Sequence, residues 1–194
     1  MLQKFPKIIF ILIVTAISGA LSAHFVALAP TTGNQGWWYD YSPGIFFGIA
    51  TALVFLWLYR LSPIKTLAWV LAAIASNYAA FRVGDLIPNP GNWLFFITFY
   101  AVTGLLEASL LGIFFWLIVR RTSFVHVAAI MCVGLVANVL IAIIFITNNV
   151  ETFLTTTRLA LAFISWHMSL TFALIGPALM QKPATRAHRA HEAN

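Results

Sequence analysis

From Trp93 to Val119 the sequence reads WLFFITFYAVTGLLEASLLGIFFWLIV, and Arg120 and Arg121 close it off. At the 1.5 Å rise of an α-helix, such a run is long enough to cross the ~30 Å hydrocarbon core of a bilayer. Its single charge, Glu107, stands close to the middle. Inserting an ionisable side chain at that depth costs roughly 2.5 kcal/mol or more, so such residues turn toward the inside of a bundle and need a partner or water. Tyr100, Thr103 and Glu107 are spaced by three and four and therefore share one helix face. Beside them Gly104, Ala108 and Gly112 form a small-residue stripe, which predicts that this side packs on another helix. Three readings of Glu107 follow: a ligand, proton or ion site, a neutral or hydrogen-bonded carboxyl that locks two helices together, or an accidental surface charge.

The rest of the chain belongs to the same solvent. With 61% hydrophobic residues, 8% charged and a mean hydropathy of +0.92, there is too little polar surface to coat a water-soluble globule. Five further apolar stretches read as spans: Ile8 to Ala29, Pro43 to Tyr59, Thr66 to about Val83, Val125 to about Thr147, and about Thr155 to Met180. Lys4, Lys7 and the first run resemble a secretory signal, but the run exceeds the ~7–15 residues of a signal's apolar core and is read as a retained first helix. The expected fold is all-α: a polytopic membrane protein with a single six-helix transmembrane bundle over residues 1–181 and a short polar tail over 182–194. Connections are expected to be short, the longest being Pro30 to Ser42. No internal repeat relates the two halves.

Basic residues set the expected orientation. Lys4, Lys7, Arg60, Lys65, Arg120, Arg121, Lys182, Arg186 and Arg189 fall on one side of a six-span model, and of the eleven Lys and Arg only Arg82 and Arg158 fall on the other. The positive-inside rule then makes both termini cytoplasmic and the protein a multi-pass component of the plasma membrane, the inner membrane in a bacterium. The net charge of +6 is accounted for by topology and anionic lipid headgroups, so nucleic acid is not an expected partner. On the outer side, Trp37, Trp38, Tyr39, Asp40 and Tyr41, together with Asp85 and Trp93, read either as an interfacial aromatic belt or as loops folding over a shallow cavity.

Polar residues within the other spans supply the remaining candidates. Tyr78, Arg82 and Asp85 share a face near the outer boundary, with Asn77 beside it. Arg82 and Asp85 either neutralise each other or leave Arg82 to hold an anionic group through paired hydrogen bonds. Trp166 and His167 lie at mid-membrane depth, where His167 either pairs with Glu107 or packs against a hydroxyl or carbonyl. Asn138 reads as a hydrogen-bonding bridge between helices. The candidate binding set is therefore Glu107, Tyr100, Thr103, His167, Asn77, Tyr78 and Arg82.

Chemistry of other kinds lacks positive signals. His24, His126 and His167 sit at three different depths and make no axial pair for haem. His188 and His191 have a metal-like spacing but lie in the polar tail. Neither HExxH, GxSxG nor a phosphate-binding glycine loop occurs, Cys132 is the lone cysteine, and no cofactor is assigned.

Size, six helices, cytoplasmic termini, aromatic outer loops and the Ala16-Ile17-Ser18-Gly19-Ala20 motif together resemble the architecture of the substrate-binding S-components of energy-coupling-factor vitamin transporters. No vitamin-specific motif accompanies the likeness. It implies a compact bundle that binds a small molecule near the outer face and docks its first helix on a coupling subunit. A solute-binding or transport subunit is thus the leading expectation. The alternative is a non-catalytic scaffold that binds other membrane subunits through its small-residue helix faces. A membrane enzyme would need a convergent nucleophile or metal site.

Overall fold

A computed structural model describes residues 5–28, 35–89, 92–119, 122–147 and 156–180. Those residues form six long helices and, among them, no strand: α1 (Phe5–Leu28), α2 (Gln35–Tyr59), α3 (Pro63–Gly84), α4 (Trp93–Phe114, continued by a π-helical turn at Phe115–Val119), α5 (Phe124–Thr147) and α6 (Thr156–Met180). All six are long and apolar enough to cross a membrane. Lys4, Arg120, Arg121 and the tail with His188 and His191 lie outside the described residues.

The helices close into a ring. Each packs on the next along the chain, α6 returns to pack on α1, and α2 also touches α6 across the middle. One core runs through the bundle, with Ile11 from α1, Phe55 from α2, Trp69 from α3, Leu111 and Phe115 from α4, Ile130 from α5 and Leu170 from α6 all buried. Leucines and isoleucines such as Ile13, Ile17, Leu67, Leu117, Leu140 and Leu161 face outward, while Thr15, Ser18, Thr51, Ser76, Asn77, Glu107, Asn138, His167 and Thr171 are buried. That distribution suits lipid outside and hydrogen bonding within. Most of the buried hydroxyls bond back to their own helix: Thr15 to Ile11 at 2.7 Å, Thr51 to Phe47 at 2.7 Å and Ser76 to Ala72 at 2.8 Å, each to the carbonyl four residues earlier.

Small residues bring the axes close. A Cβ on Gly19 would lie 2.5 Å from the Ile164 Cα, so α1 and α6 touch backbone to backbone there. At the α4–α5 crossing, a Cβ on Gly134 would collide with Ala108 and come within 2.8 Å of the Gly104 carbonyl oxygen. The stripe expected on α4 is therefore consumed by α5. The stripe on α2 is consumed by α3, with Gly44 against Ile74 and Gly48 against Ala73 and Val70.

Three helix starts differ from expectation by three residues or more, the first being α1, which begins at Phe5 and not at Ile8. Helix α2 begins at Gln35, so Pro43 is an interior residue and not the first of the helix. Much of the expected Pro30–Ser42 connection, including the aromatic residues from Trp37 to Tyr41, is helical backbone. A proline at a helix start and one inside a membrane helix look alike in sequence, because the bundle around the latter satisfies the freed carbonyl. Helix α3 begins three residues before Thr66, since Ser62 caps it by accepting the Lys65 N–H at 3.4 Å and Pro63 follows with its φ already set. The fourth span ends in a π turn that places Phe115 inside the core, edge-on to Phe55 at 5.3 Å between centroids and to Trp69 at 6.3 Å.

Candidate functional site

Glu107 faces the inside of the ring at 7% exposure. Helix α4 puts it there because Gly104, Ala108 and Leu111, on the same side of the helix, are buried against neighbouring helices. From α3, Asn77 is only 2% exposed, and its Nδ2 donates to Glu107 Oε1 at 3.5 Å, a long bond. From α6, the indole N–H of Trp166 is directed at the same carboxyl. The Trp166 ring gets there by crossing α5 at Gly134, where a Cβ would sit 3.5 Å from its Cη2. Three helices thus converge on one carboxyl, and a fourth makes room.

The hydrogen-bond ledger at this point does not balance. An ionised carboxylate offers about four lone-pair positions and a side-chain amide oxygen two. Two neutral donors reach Glu107, while Asn77 Oδ1 is buried with no partner among the described residues. The ion pair found among the described residues is Arg82 with Asp85, and Glu107 has no cationic neighbour there.

The other candidates lie elsewhere. His167, 1% exposed, turns to α1, where its Nδ1 lies 2.8 Å from Ser18 Oγ and its ring meets Phe47 edge-on at 5.1 Å. It is the packed histidine bonded to a hydroxyl, and the pairing with Glu107 is not formed. The reason is rotational: adjacent residues on a helix point about 100° apart, so when Trp166 faces α4 its neighbour faces α1. Thr103 shares the inward face of α4 but donates to its own helix at Phe99 at 2.9 Å, with its methyl against Gly84. Tyr100 is half-buried and packs against the core.

Tyr78 and Arg82 belong to a separate arrangement at the end of α3. Tyr41 and Tyr78 stack at 5.1 Å with 5° between their planes, and the Arg82 guanidinium lies 5.0 Å over the Tyr78 ring. Arg82 Nη1 donates to Asp85 Oδ2 at 3.2 Å with both side chains about half exposed, at 50% and 55%. The neutralising pair is the form present. Arg158 lies on α6, but its side chain is outside the described residues. Asn138 bonds its own helix at the Gly134 carbonyl, 3.3 Å away, and packs flat on Gly104; it does not bridge helices as expected, because the close α4–α5 crossing leaves it no room to reach out.

Two contributors escaped sequence reasoning. Trp166 stood at the right depth, but nothing local shows that an indole passes over a glycine on another helix. His126 on α5 brings its Nε2 to 2.7 Å from the Ala173 carbonyl on α6. That carbonyl lacks its helical donor because the residue four positions on is Pro177, which has no N–H. A proline followed back four residues was the available signal. No group of three or more His, Cys, Asp or Glu suited to a metal occurs among the described residues.

Compared with protein-family models, with curated proteins and with solved structures, the chain matches none.

Proposed function

We propose that this chain is an integral membrane solute-binding or transport subunit whose site is the cluster of Glu107, Asn77 and Trp166. The observation that carries the reading is the buried Glu107 carboxyl beside an Asn77 Oδ1 that has no partner among the described residues, inside a six-helix ring. A membrane interior penalises such groups, so their retention in one place is accounted for by something that binds there. The distribution of Lys and Arg supports cytoplasmic termini in a plasma membrane, the bacterial inner membrane if the source is prokaryotic, and the proposed site opens toward the outer face. Of the seven candidate residues, Glu107 and Asn77 belong to this site directly. Tyr100 and Thr103 lie up to two turns away on α4, and Tyr78 and Arg82 stand in the separate arrangement at the end of α3.

The scaffold alternative rested on small-residue stripes on three helices and on the lack of a motif for chemistry. Gly19, Gly44, Gly48, Gly104 and Gly134 are all occupied by neighbouring helices of the same chain, which removes much of that support.

Native mass spectrometry of the protein, gently extracted from its own membrane, tests the proposal. The wild type is expected to retain a bound small molecule that Glu107→Gln loses while keeping its helical content and thermal stability. A wild type that emerges bare, or a variant that keeps the same adduct, refutes it. A stoichiometric protein partner without any small molecule would favour the scaffold.

A further inference from the structure

Resting on the solute-binding reading, we infer that the solute presents a protonated amine to the Glu107–Asn77 pair. The groups left open at the site are acceptors: the remaining lone pairs of the Glu107 carboxylate, and Asn77 Oδ1, which is buried without a partner. Acceptors call for a ligand with N–H or O–H to give. The donors already present, the Asn77 amide and the Trp166 indole, are neutral, and an ionised Glu107 has no Lys, Arg or His paired with it among the described residues. The balancing charge is then a proton, held on the carboxyl itself or brought on a ligand, since an unpaired charge in low dielectric is the costliest state available to the site; a protonated amine brings it together with N–H groups for both acceptors.

A bare metal cation meets the charge requirement but not the coordination. Hard cations take about six or more oxygen ligands. This site offers side-chain oxygens from Glu107 and Asn77, fewer than such a cation takes. An ammonium carries three N–H groups in a compact head. Two of them suffice for Glu107 and Asn77 Oδ1, and the third remains for the rest of the solute's surroundings. Anionic solutes are disfavoured because they meet a carboxyl and an amide oxygen, and a neutral solute fits only the protonated carboxyl.

Isothermal titration calorimetry on the full chain in lipid nanodiscs tests this class. The probes are methylammonium and guanidinium, with acetamide as the neutral control, acetate as the anionic one, and sodium chloride to represent a metal cation. Heat is expected from the two organic cations alone, with an affinity that falls by about thirtyfold or more in Glu107→Gln. The near-isosteric Asn77→Leu is expected to weaken it by about tenfold to a hundredfold, as for one lost hydrogen bond to a charged group. Circular dichroism of each variant confirms the fold.

Binding of acetamide or acetate that depends on Glu107 overturns the amine and leaves the solute-binding reading in place. Sodium binding that depends on both residues does the same. A protonated-carboxyl infrared band that Glu107→Gln removes and no solute perturbs, with no heat from any solute, shows that the site takes a proton alone, and overturns the inference. If none of the probes registers and the native mass spectrum is also bare, the inference and the reading beneath it fall together.

Discussion

His126 offers a test of how the bundle repairs its own backbone. Pro177 takes away the N–H that would have bonded the Ala173 carbonyl within α6, and the His126 Nε2–H of α5 supplies a replacement at 2.7 Å. A carbonyl can only accept, so Nε2 must carry the hydrogen. Replacing His126 with Phe keeps a ring to meet Phe115, whose centroid is 5.9 Å away, and removes the donor. A buried polar group left unsatisfied costs about 1–3 kcal/mol in water-soluble proteins, whereas hydrogen bonds between membrane helices average about 0.6 and reach about 1.7 kcal/mol. A loss of about 1–2 kcal/mol is expected for His126→Phe. In a Pro177→Ala background the helix regains its own N–H, so the same substitution should cost about 1 kcal/mol less. Reversible unfolding of the four proteins in mixed micelles gives that coupling directly. His126→Gln, which keeps an N–H donor, should recover part of the stability. If His126→Phe costs the same with and without Pro177, the interhelical bond is not compensating for the proline and the argument is wrong.

Two other substitutions probe the packing. Arg60 ends α2 with a φ of 52°, a left-handed conformation that costs a residue with a Cβ roughly 1–2 kcal/mol; Arg60→Gly should raise the unfolding midpoint by about 1 kcal/mol of stability, and no change would show that the strain is absent in the membrane. Gly134→Ala drives a methyl into Ala108 and the Gly104 carbonyl and should cost about 1–3 kcal/mol, while Ala108→Gly added to it should recover part of the loss, as read by the same unfolding assay; failure of the second change to help would mean that the close α4–α5 approach does not set the stability.

What the sequence determined by itself was whatever depends on local composition and on the 3.6-residue period. Apolar length marked the six helices, and the spacing of Gly104, Ala108 and Gly112 around Glu107 placed that carboxyl inward, as found. Near proline the same local reasoning misled, because Pro43 is helical interior and Pro63 is a helix start. Only the tertiary structure decided which side chains meet: Glu107 with Asn77 and Trp166, His167 with Ser18, and His126 with the carbonyl that Pro177 stranded. Lipid makes every outward-facing Leu and Ile nearly equivalent, so hydropathy carries no information about which helix lies beside which. Neighbours are chosen by where backbones can approach at glycine and by which buried polar groups find a partner there, and both are properties of pairs of helices that no single stretch contains.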